Sequence, residues 1–222
     1  MLSNRQKEAI KQTEHFVYHL LKEDASGHDW WHIQRVRNLA ETIAVQEKEA
    51  ANPFIYEMAA LLHDVADEKI NRNSESGEKI LFDWLHTIKL EKKEKEAILE
   101  IILNISYKGG TNKTKLASIE GKIVQDADRL DALGAIGIAR TMAYTGARGR
   151  LIHDPDASYS RENLTLEQYR SDEGTAVMHF YEKLFKLKDL MNTSTGRKIA
   201  SKRHDYMENY LKEFYEEWEG NR

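Results

Sequence analysis

The sequence predicts an all-α protein, and three observations support that class. Apolar residues recur at the three- and four-residue spacing of one helix face through almost the whole chain. The 222 residues include only 2 prolines and 12 glycines, which leaves room for long uninterrupted helices. We find no convincing strand pattern, no internal repeat and no low-complexity tract.

The same periodicity places each helix in order along the chain. Helices are predicted over residues 3–24, around 36–43, and over 52–63, 75–87, 91–105, 116–127, 131–145, 165–191 and 195–219. The third of these begins after Asn52-Pro53, a favourable helix start. Loops are predicted at 107–112, which is rich in glycine, and at 146–163, which is long enough to suggest a functional role.

Length and composition predict one helical domain over residues 1–222. A metal-binding core is expected over about 25–145, followed by the loop at about 146–163 and by C-terminal helices at about 165–219 that pack on the core. The 41% of hydrophobic residues suffice for such a core. The last helix is rich in aromatic residues, which indicates either core packing or the interface of a homodimer.

Charge and residue usage exclude several classes of protein. A formal net charge of −4 argues against a partner that is a nucleic-acid polymer, since such proteins are usually basic. The absence of cysteine excludes disulfides and thiolate metal sites. The polar N-terminus does not resemble a signal peptide, and no apolar run approaches the length of a membrane span. We therefore expect a cytoplasmic protein with no membrane partner.

Residues of metal-binding types occur where periodicity predicts buried faces: His32, His63, Asp64 and Asp128. His32 lies four residues before Val36 on the apolar side of its helix, which favours it over its neighbour His28. Asp128 lies four residues after Val124, which favours it over Asp126. Taken singly, such a histidine is more often a hydrogen-bonded core residue, and such an aspartate is more often a helix cap.

The combination of these residues points to a metal ion. Several isolated carboxylates inside one small helical core are costly to ionise unless a cation or hydrogen bonds compensate them. One divalent ion held by two neutral imidazoles and two carboxylates provides that compensation. Mixed nitrogen and oxygen ligands suit Mn, Mg, Ni, Fe, Co or Zn, and the sequence does not choose among them.

Three segments in order carry a resemblance to a known family: His32-Ile-Gln-Arg-Val, Leu61-Leu62-His63-Asp64 and Asp126-Ala-Asp128-Arg-Leu. They resemble the H…HD…D signature of the HD-domain superfamily of metal-dependent phosphohydrolases. The fuller wording GHDWWH, HDVADEK and DADRLDA is similar to a stand-alone bacterial subgroup associated with nucleotide pyrophosphohydrolysis. The resemblance implies an HD-type helical bundle with His32, His63, Asp64 and Asp128 as metal ligands.

The resemblance also implies catalytic roles for two acids that follow the His-Asp pair. A carboxylate at this place in the family acts as general base or orients the attacking water; Asp67 is preferred on position and Glu68 is the alternative. Both acids are alternatively exposed turn residues. Asp131 is expected either to orient a ligand histidine or to cap the next helix.

A phosphate substrate also requires cations or hydrogen-bond donors around its non-reacting oxygens. The candidates for substrate binding are His28, Lys69, Lys108, Lys183 and Arg197. Each of the cationic ones is alternatively a solvated surface charge. Arg35, Arg148 and Arg150 are further candidates on the same grounds.

The function predicted from these features is a divalent-metal-dependent phosphohydrolase with a small phosphorylated substrate, most simply a nucleotide. The resemblance favours pyrophosphohydrolysis of (deoxy)nucleoside triphosphates. A 5′-nucleotidase acting on monophosphates is the nearest alternative, and a regulatory module with a structural metal is the alternative outside enzymes. An iron-dependent oxygenase would need histidines for a second metal, and the three segments offer none besides His28.

Overall fold

The computed structural model describes residues 1–23, 29–66, 74–105, 116–156 and 174–222. Every regular element in these ranges is helical, so the predicted all-α class is confirmed. The described residues form two compact units, divided within one continuous helix: residues up to Ala127 belong to unit 1, and those from Asp128 onward belong to unit 2. Among the described helices, none combines the length and apolar character needed to cross a bilayer.

The described part of unit 1 contains five helices, α1 (Asn4–Leu21), α2 (Trp30–Gln46), α3 (Pro53–Leu62), α4 (Ser74–Thr87) and α5 (Lys92–Asn104), and most of a sixth, α6 (Ile119–Asp131). Helix α3 contacts α1, α2 and α5. Eight of its ten residues are buried, because its sequence is apolar on every side. It begins at Pro53, and the Asn52 side chain accepts a hydrogen bond from the Phe54 amide.

Polar contacts tie the helices of unit 1 to one another. The Arg5 guanidinium on α1 donates to both carboxylate oxygens of Glu94 on α5, at 2.8 and 2.7 Å. Burial by itself raises the pKa of Glu94, but hydrogen bonds from Arg5, from the Glu91 amide and from Gln6 outweigh it and lower that pKa below its usual value. Trp84 on α4 donates to the Thr13 hydroxyl on α1 at 3.1 Å.

Unit 2 begins with the end of α6 and continues with α7 (Gly134–Ala147). Four short pieces follow: α8 (Ala176–His179), a π-helix (Phe180–Leu184), α9 (Phe185–Leu187) and a 3-10 turn (Lys188–Leu190). The last element is α10 (Ser194–Trp218), which contacts α7. His153 is buried against three aromatic side chains of α10, with Trp218 nearest at 4.8 Å between ring centroids.

The structure corrects two of the predicted helices. Residues 116–127 and 131–145 were expected to form two helices with the acidic segment at their junction, but α6 continues through Asp128 to Asp131 and α7 begins at Gly134. Over 165–191 one long helix was expected. Its described part, 176–190, changes helix type three times. The apolar spacing from Phe180 to Leu184 suits an α- or a π-turn equally, so periodicity could not reveal the change. The expectation of one domain over 1–222 stays a prediction.

Candidate metal centre

His32 is held in place by the first turn of α2. The Asp29 carboxylate caps this helix and accepts a hydrogen bond from the backbone amide of His32 at 2.7 Å. The side chain of His32 is 1% exposed, on the same face as Ile33, Val36 and Ala40. The ring therefore emerges from the buried face of a capped helix.

His63 follows the last residue of α3, and its ring has a fixed orientation. Its Nδ1 lies 2.9 Å from the carbonyl oxygen of Ala60. Because a carbonyl oxygen only accepts hydrogen bonds, Nδ1 carries the proton and donates it. The lone pair of the neutral ring then lies on Nε2, which is the arrangement typical of a histidine that ligates a metal.

The side chains of His32, His63 and Asp64 converge on one point. The two Nε2 atoms are 3.2 Å apart. One oxygen of Asp64 lies 3.2 Å from Nε2 of His32, and the other lies 3.4 Å from Nε2 of His63. Two ligand atoms that each lie about 2.1 Å from one ion, at coordination angles of about 90 to 109°, are separated by about 3.0 to 3.4 Å. The observed separations therefore fit a shared divalent ion.

Asp128 is grouped with these histidines. One ligand atom from each of His32, His63 and Asp128 lies within 4.8 Å of the other two. Asp128 is half-buried, whereas its neighbour Asp126 is 0% exposed. Burial alone would thus have selected Asp126, while helical spacing from Val124 selected the residue that reaches the histidines.

Two hydrogen bonds connect the part of α6 before Asp128 to other segments of unit 1. The Glu120 carboxylate accepts a hydrogen bond from the Asn52 amide at 2.7 Å, just before α3. The Gln125 side-chain amide donates to the carbonyl oxygen of Ile105 at 3.1 Å, just after α5. These contacts join the part of α6 that belongs to unit 1 to the segments beside α3 and α5.

The grouped residues have the chemistry that a divalent ion requires. The group of His32, His63 and Asp128, with the Asp64 carboxylate beside the two rings, offers nitrogen and oxygen donors without sulfur, which suits the first-row divalent metals and Mg²⁺. Without a cation, the Asp64 carboxylate would be held at 5% exposure beside two rings. This set could therefore hold a metal, and its donors do not select one.

The sequence did not indicate two arginines around the end of α6. Arg140 on α7 donates to the Asp131 carboxylate at 2.9 Å, and the N-cap of α7 is Leu133 rather than Asp131. Arg203 on α10 donates to the carbonyl oxygen of Leu130. Both arginines lie on other helices than α6, so the spacing within α6 could not have identified them. The only sequence signal was Asp131, which was expected either to orient a ligand histidine or to cap the next helix.

The predicted catalytic and substrate-binding residues are placed only in part. Five lie outside the described residues: His28, Asp67, Glu68, Lys69 and Lys108. Lys183 lies half-buried in the π-helix. Arg197 lies in the first turn of α10, and its Nη1 donates to the carbonyl oxygens of Met191 and Asn192, both at 3.0 Å. That contact gives Arg197 a structural role that does not depend on a substrate.

Comparison with known proteins identifies the family. The family model described as HD domain matches residues 30–133, a range that contains all four predicted metal ligands. The crystal structure of an HD-superfamily hydrolase from Bacillus thuringiensis is 48% identical, covers 96% of this chain and 98% of its own, and superposes with a TM-score of 0.75. The chain belongs to the HD superfamily.

Two further relatives of this HD-superfamily chain cover nearly its whole length. YpgQ of Bacillus subtilis is 38% identical over 92% of both chains. Its crystal structure in complex with ADP superposes with a TM-score of 0.73 at 36% identity over 96% of both chains. A crystal structure from Lactobacillus plantarum gives a TM-score of 0.85 at 41% identity, over 99% of this chain and 100% of the other. Family membership and the histidine–aspartate group together support a hydrolase.

Proposed function

We propose that this HD-superfamily protein is a divalent-metal-dependent phosphohydrolase that acts on nucleotides, with (deoxy)nucleoside triphosphate pyrophosphohydrolysis as its reaction. One observation carries the proposal: Nε2 of His32, Nε2 of His63 and the Asp64 carboxylate lie 3.2 to 3.4 Å from one another, with Asp128 grouped beside the histidines. When bound there, a divalent ion supplies a Lewis acid for a phosphoryl oxygen and lowers the pKa of a bound water.

The residues of the chain have four roles at this site. Ala60 fixes the tautomer of His63, so its Nε2 lone pair is available without a proton having to leave. Asp64 and Asp128 contribute negative charge that favours a divalent over a monovalent cation. Asp67, or Glu68 in its place, takes the proton of the attacking water. His28, Lys69, Lys108 and Lys183 are the proposed contacts to the substrate, with Arg197 available through its remaining donors.

The substrate class is supported by a relative. The YpgQ structure holds ADP, and that chain aligns with this one over 96% of both lengths. A nucleotide presents the phosphate oxygens that a Lewis acid and several cations neutralise together. The proposed partner is therefore a small phosphorylated substrate.

A nucleotide panel tests the reaction. The purified chain is incubated with Mn²⁺ and each of the common ribo- and deoxyribonucleoside mono-, di- and triphosphates, and pyrophosphate and orthophosphate are scored separately. Pyrophosphate release from triphosphates supports the proposal. Orthophosphate release from monophosphates alone would identify a 5′-nucleotidase instead. Release of neither product from any nucleotide, with Mg²⁺, Co²⁺ or Ni²⁺ also tried, would refute a nucleotide phosphohydrolase.

Variants separate metal binding from turnover. Asp64→Asn should lose both, since it removes charge from the ligand set. Asp67→Asn should keep Mn²⁺ affinity and lose about 10²- to 10⁴-fold in kcat, the usual contribution of a general base. His86→Ala, which alters an exposed histidine at the end of α4, serves as the matched control and should change neither. If removal of the metal unfolds the chain and the metal-bound protein hydrolyses no nucleotide, the metal is structural and the protein is a regulatory module.

A further inference from the structure

Three consecutive residues that follow Asp128 are each held by a contact from a different part of unit 2. Arg129 donates through Nη1 to the carbonyl oxygen of Leu190, Leu130 accepts from Arg203, and Asp131 accepts from Arg140. We call this cluster the α6 clasp; its members are Arg129, Leu130, Asp131, Arg140, Leu190 and Arg203. The clasp thus joins the last turn of α6 to α7, to the 3-10 turn and to α10.

The last turn of a helix needs such contacts if it is to stay ordered. The final four carbonyls of a helix have no partner within the helix, and helix ends fray. The Leu130 carbonyl accepts from the Leu133 amide just beyond the helix, and Arg203 supplies it with a second donor. The side chain of Arg129 is itself anchored at the 3-10 turn. Asp128 lies in the same turn, so these contacts restrain its backbone.

Asp131 contributes a buried negative charge to the clasp, and this charge requires a positively charged partner. Its side chain is 1% exposed, and it lies at the C-terminus of α6, where the helix dipole disfavours a negative charge. Arg140 offsets that charge through a hydrogen bond of 2.9 Å between Nη1 and Oδ2. Burial lowers the pKa of the Arg203 guanidinium, and the negative charge of Asp131 opposes that shift.

The turn between α6 and α7 is shaped to admit the Arg203 side chain. Gly134 has φ of +75°, a conformation that favours glycine. A Cβ added to Gly134 would lie 3.0 Å from Cγ of Arg203. The glycine therefore serves two purposes, since it turns the chain and leaves space for the stem of Arg203.

We propose that Arg140 and Arg203 are positioning residues, which hold the last turn of α6 so that the Asp128 carboxylate stays in register as a metal ligand. This inference rests on the metal site of the proposed function. A ligand set binds a metal tightly only when its atoms are held within a few tenths of an ångström of the coordination geometry. Arg140 and Arg203 restrain Asp128 through the backbone, whereas the hydrogen bond from Ala60 restrains His63 through its ring.

Metal affinity tests the inference directly. Mn²⁺ binding to the full chain is measured by the electron paramagnetic resonance signal of free Mn²⁺, for wild type and for Arg140→Met, Arg203→Met and Arg203→Lys. Loss of a partner that hydrogen-bonds a ligand directly weakens metal binding by about 10- to 100-fold. Because Arg140 and Arg203 act on Asp128 through the backbone, the expected effect of each methionine variant is the lower end of that range, about tenfold. Arg203→Lys keeps one donor and the charge, so it should recover part of the affinity.

The control is Arg5→Met. Arg5 makes a comparable part-buried contact, with Glu94, but between two helices of unit 1. It should lower the melting temperature and leave the Mn²⁺ affinity unchanged. If the control weakens Mn²⁺ binding as much as the clasp variants do, the effect reflects general loss of stability and the inference is wrong.

Other outcomes also decide the question. Mn²⁺ affinities of Arg140→Met and Arg203→Met within about twofold of wild type would overturn the positioning role, because an outer contact that matters costs far more than that. If Arg203→Met fails to fold, Arg140→Met and Arg203→Lys carry the test. A wild type that binds Mn²⁺ but hydrolyses no nucleotide removes the proposed function and leaves this inference standing. A wild type that binds none of Mn²⁺, Co²⁺ and Ni²⁺ overturns both.

Discussion

In α7, the replacement of Gly137 by alanine is expected to destabilise the fold, because the added Cβ has no space. A Cβ built on Gly137 would lie 2.1 Å from the carbonyl oxygen of Ala132, in the turn that leaves α6. Contacts of a real Cβ are essentially never shorter than 3.0 Å. The obstacle is a backbone atom, which cannot turn aside as a flexible side chain would. The Gly137→Ala variant must therefore shift the α6–α7 turn or the start of α7.

The size of the effect follows from two opposing terms. Forcing one extra carbon into a filled space costs about 1 to 3 kcal/mol, and more when the backbone has to move by about 1 Å. Replacing glycine by alanine inside a helix stabilises the helix by about 1 kcal/mol. We expect a net loss of about 2 kcal/mol, which lowers the melting temperature of a chain of this length by about 4 to 8 °C.

The assay is thermal unfolding followed by circular dichroism at 222 nm, in a chelating buffer so that metal does not contribute. The matched control is Gly146→Ala in the same helix, since a Cβ at Gly146 meets nothing within 4 Å. That variant should melt at or slightly above the wild-type temperature. A Gly137→Ala protein that melts at or above the wild-type temperature would refute the steric reasoning.

Three further predictions follow from individual contacts. Saturating Mn²⁺, at about 100 times its Kd, should stabilise wild type by about 2.7 kcal/mol and Asp64→Asn hardly at all, so equal melting shifts of the two would contradict a metal role for Asp64. Glu94→Gln should cost about 1 to 3 kcal/mol at pH 7 in urea unfolding, because it breaks a charge-assisted pair with Arg5. The pKa of Glu94 is lowered in the folded state, so the stability that its charge contributes is present above the usual glutamate pKa and is lost as the pH falls through the lowered value. If wild type and Glu94→Gln differ in free energy of unfolding by the same amount from pH 7 to pH 3, the ionised Glu94 is not the source of that stability. Asp29→Ala should cost about 1 kcal/mol and Asp29→Asn much less, because asparagine also caps; similar losses in both would show that the cap of the turn holding His32 is unimportant.

Much of the site could be predicted because its residues lie on faces with a clear period. His32 lies at the start of a helix whose apolar spacing points it inward, and His63 with Asp64 follows α3, the most apolar of the described helices. Local spacing also distinguished Asp128 from Asp126. In these places the side chain's direction depends on the helix alone, so one sequence suffices.

Other features depend on partners that are distant in sequence. Arg203 meets Leu130 across 73 positions of the chain, and Arg5 meets Glu94 across 89. Neither residue carries a local signal, since an arginine on a helix surface is usually solvated. The continuation of α6 through its acidic segment was missed for a related reason. A sequence cannot show that Arg140 offsets Asp131, and an uncompensated acid at a helix C-terminus is unfavourable.

Because α3 is almost completely buried, hydrogen exchange of its backbone amides reports the global stability of unit 1. Backbone amides in such an element exchange with solvent deuterium only when the surrounding structure opens globally. The logarithm of the exchange rates of the Met58 to Leu62 amides should therefore fall in proportion to any free energy of unfolding gained from ligands elsewhere in the unit. Mass spectrometry of peptides from this helix would then rank candidate metals and nucleotides by their stabilisation, before any product of turnover is known.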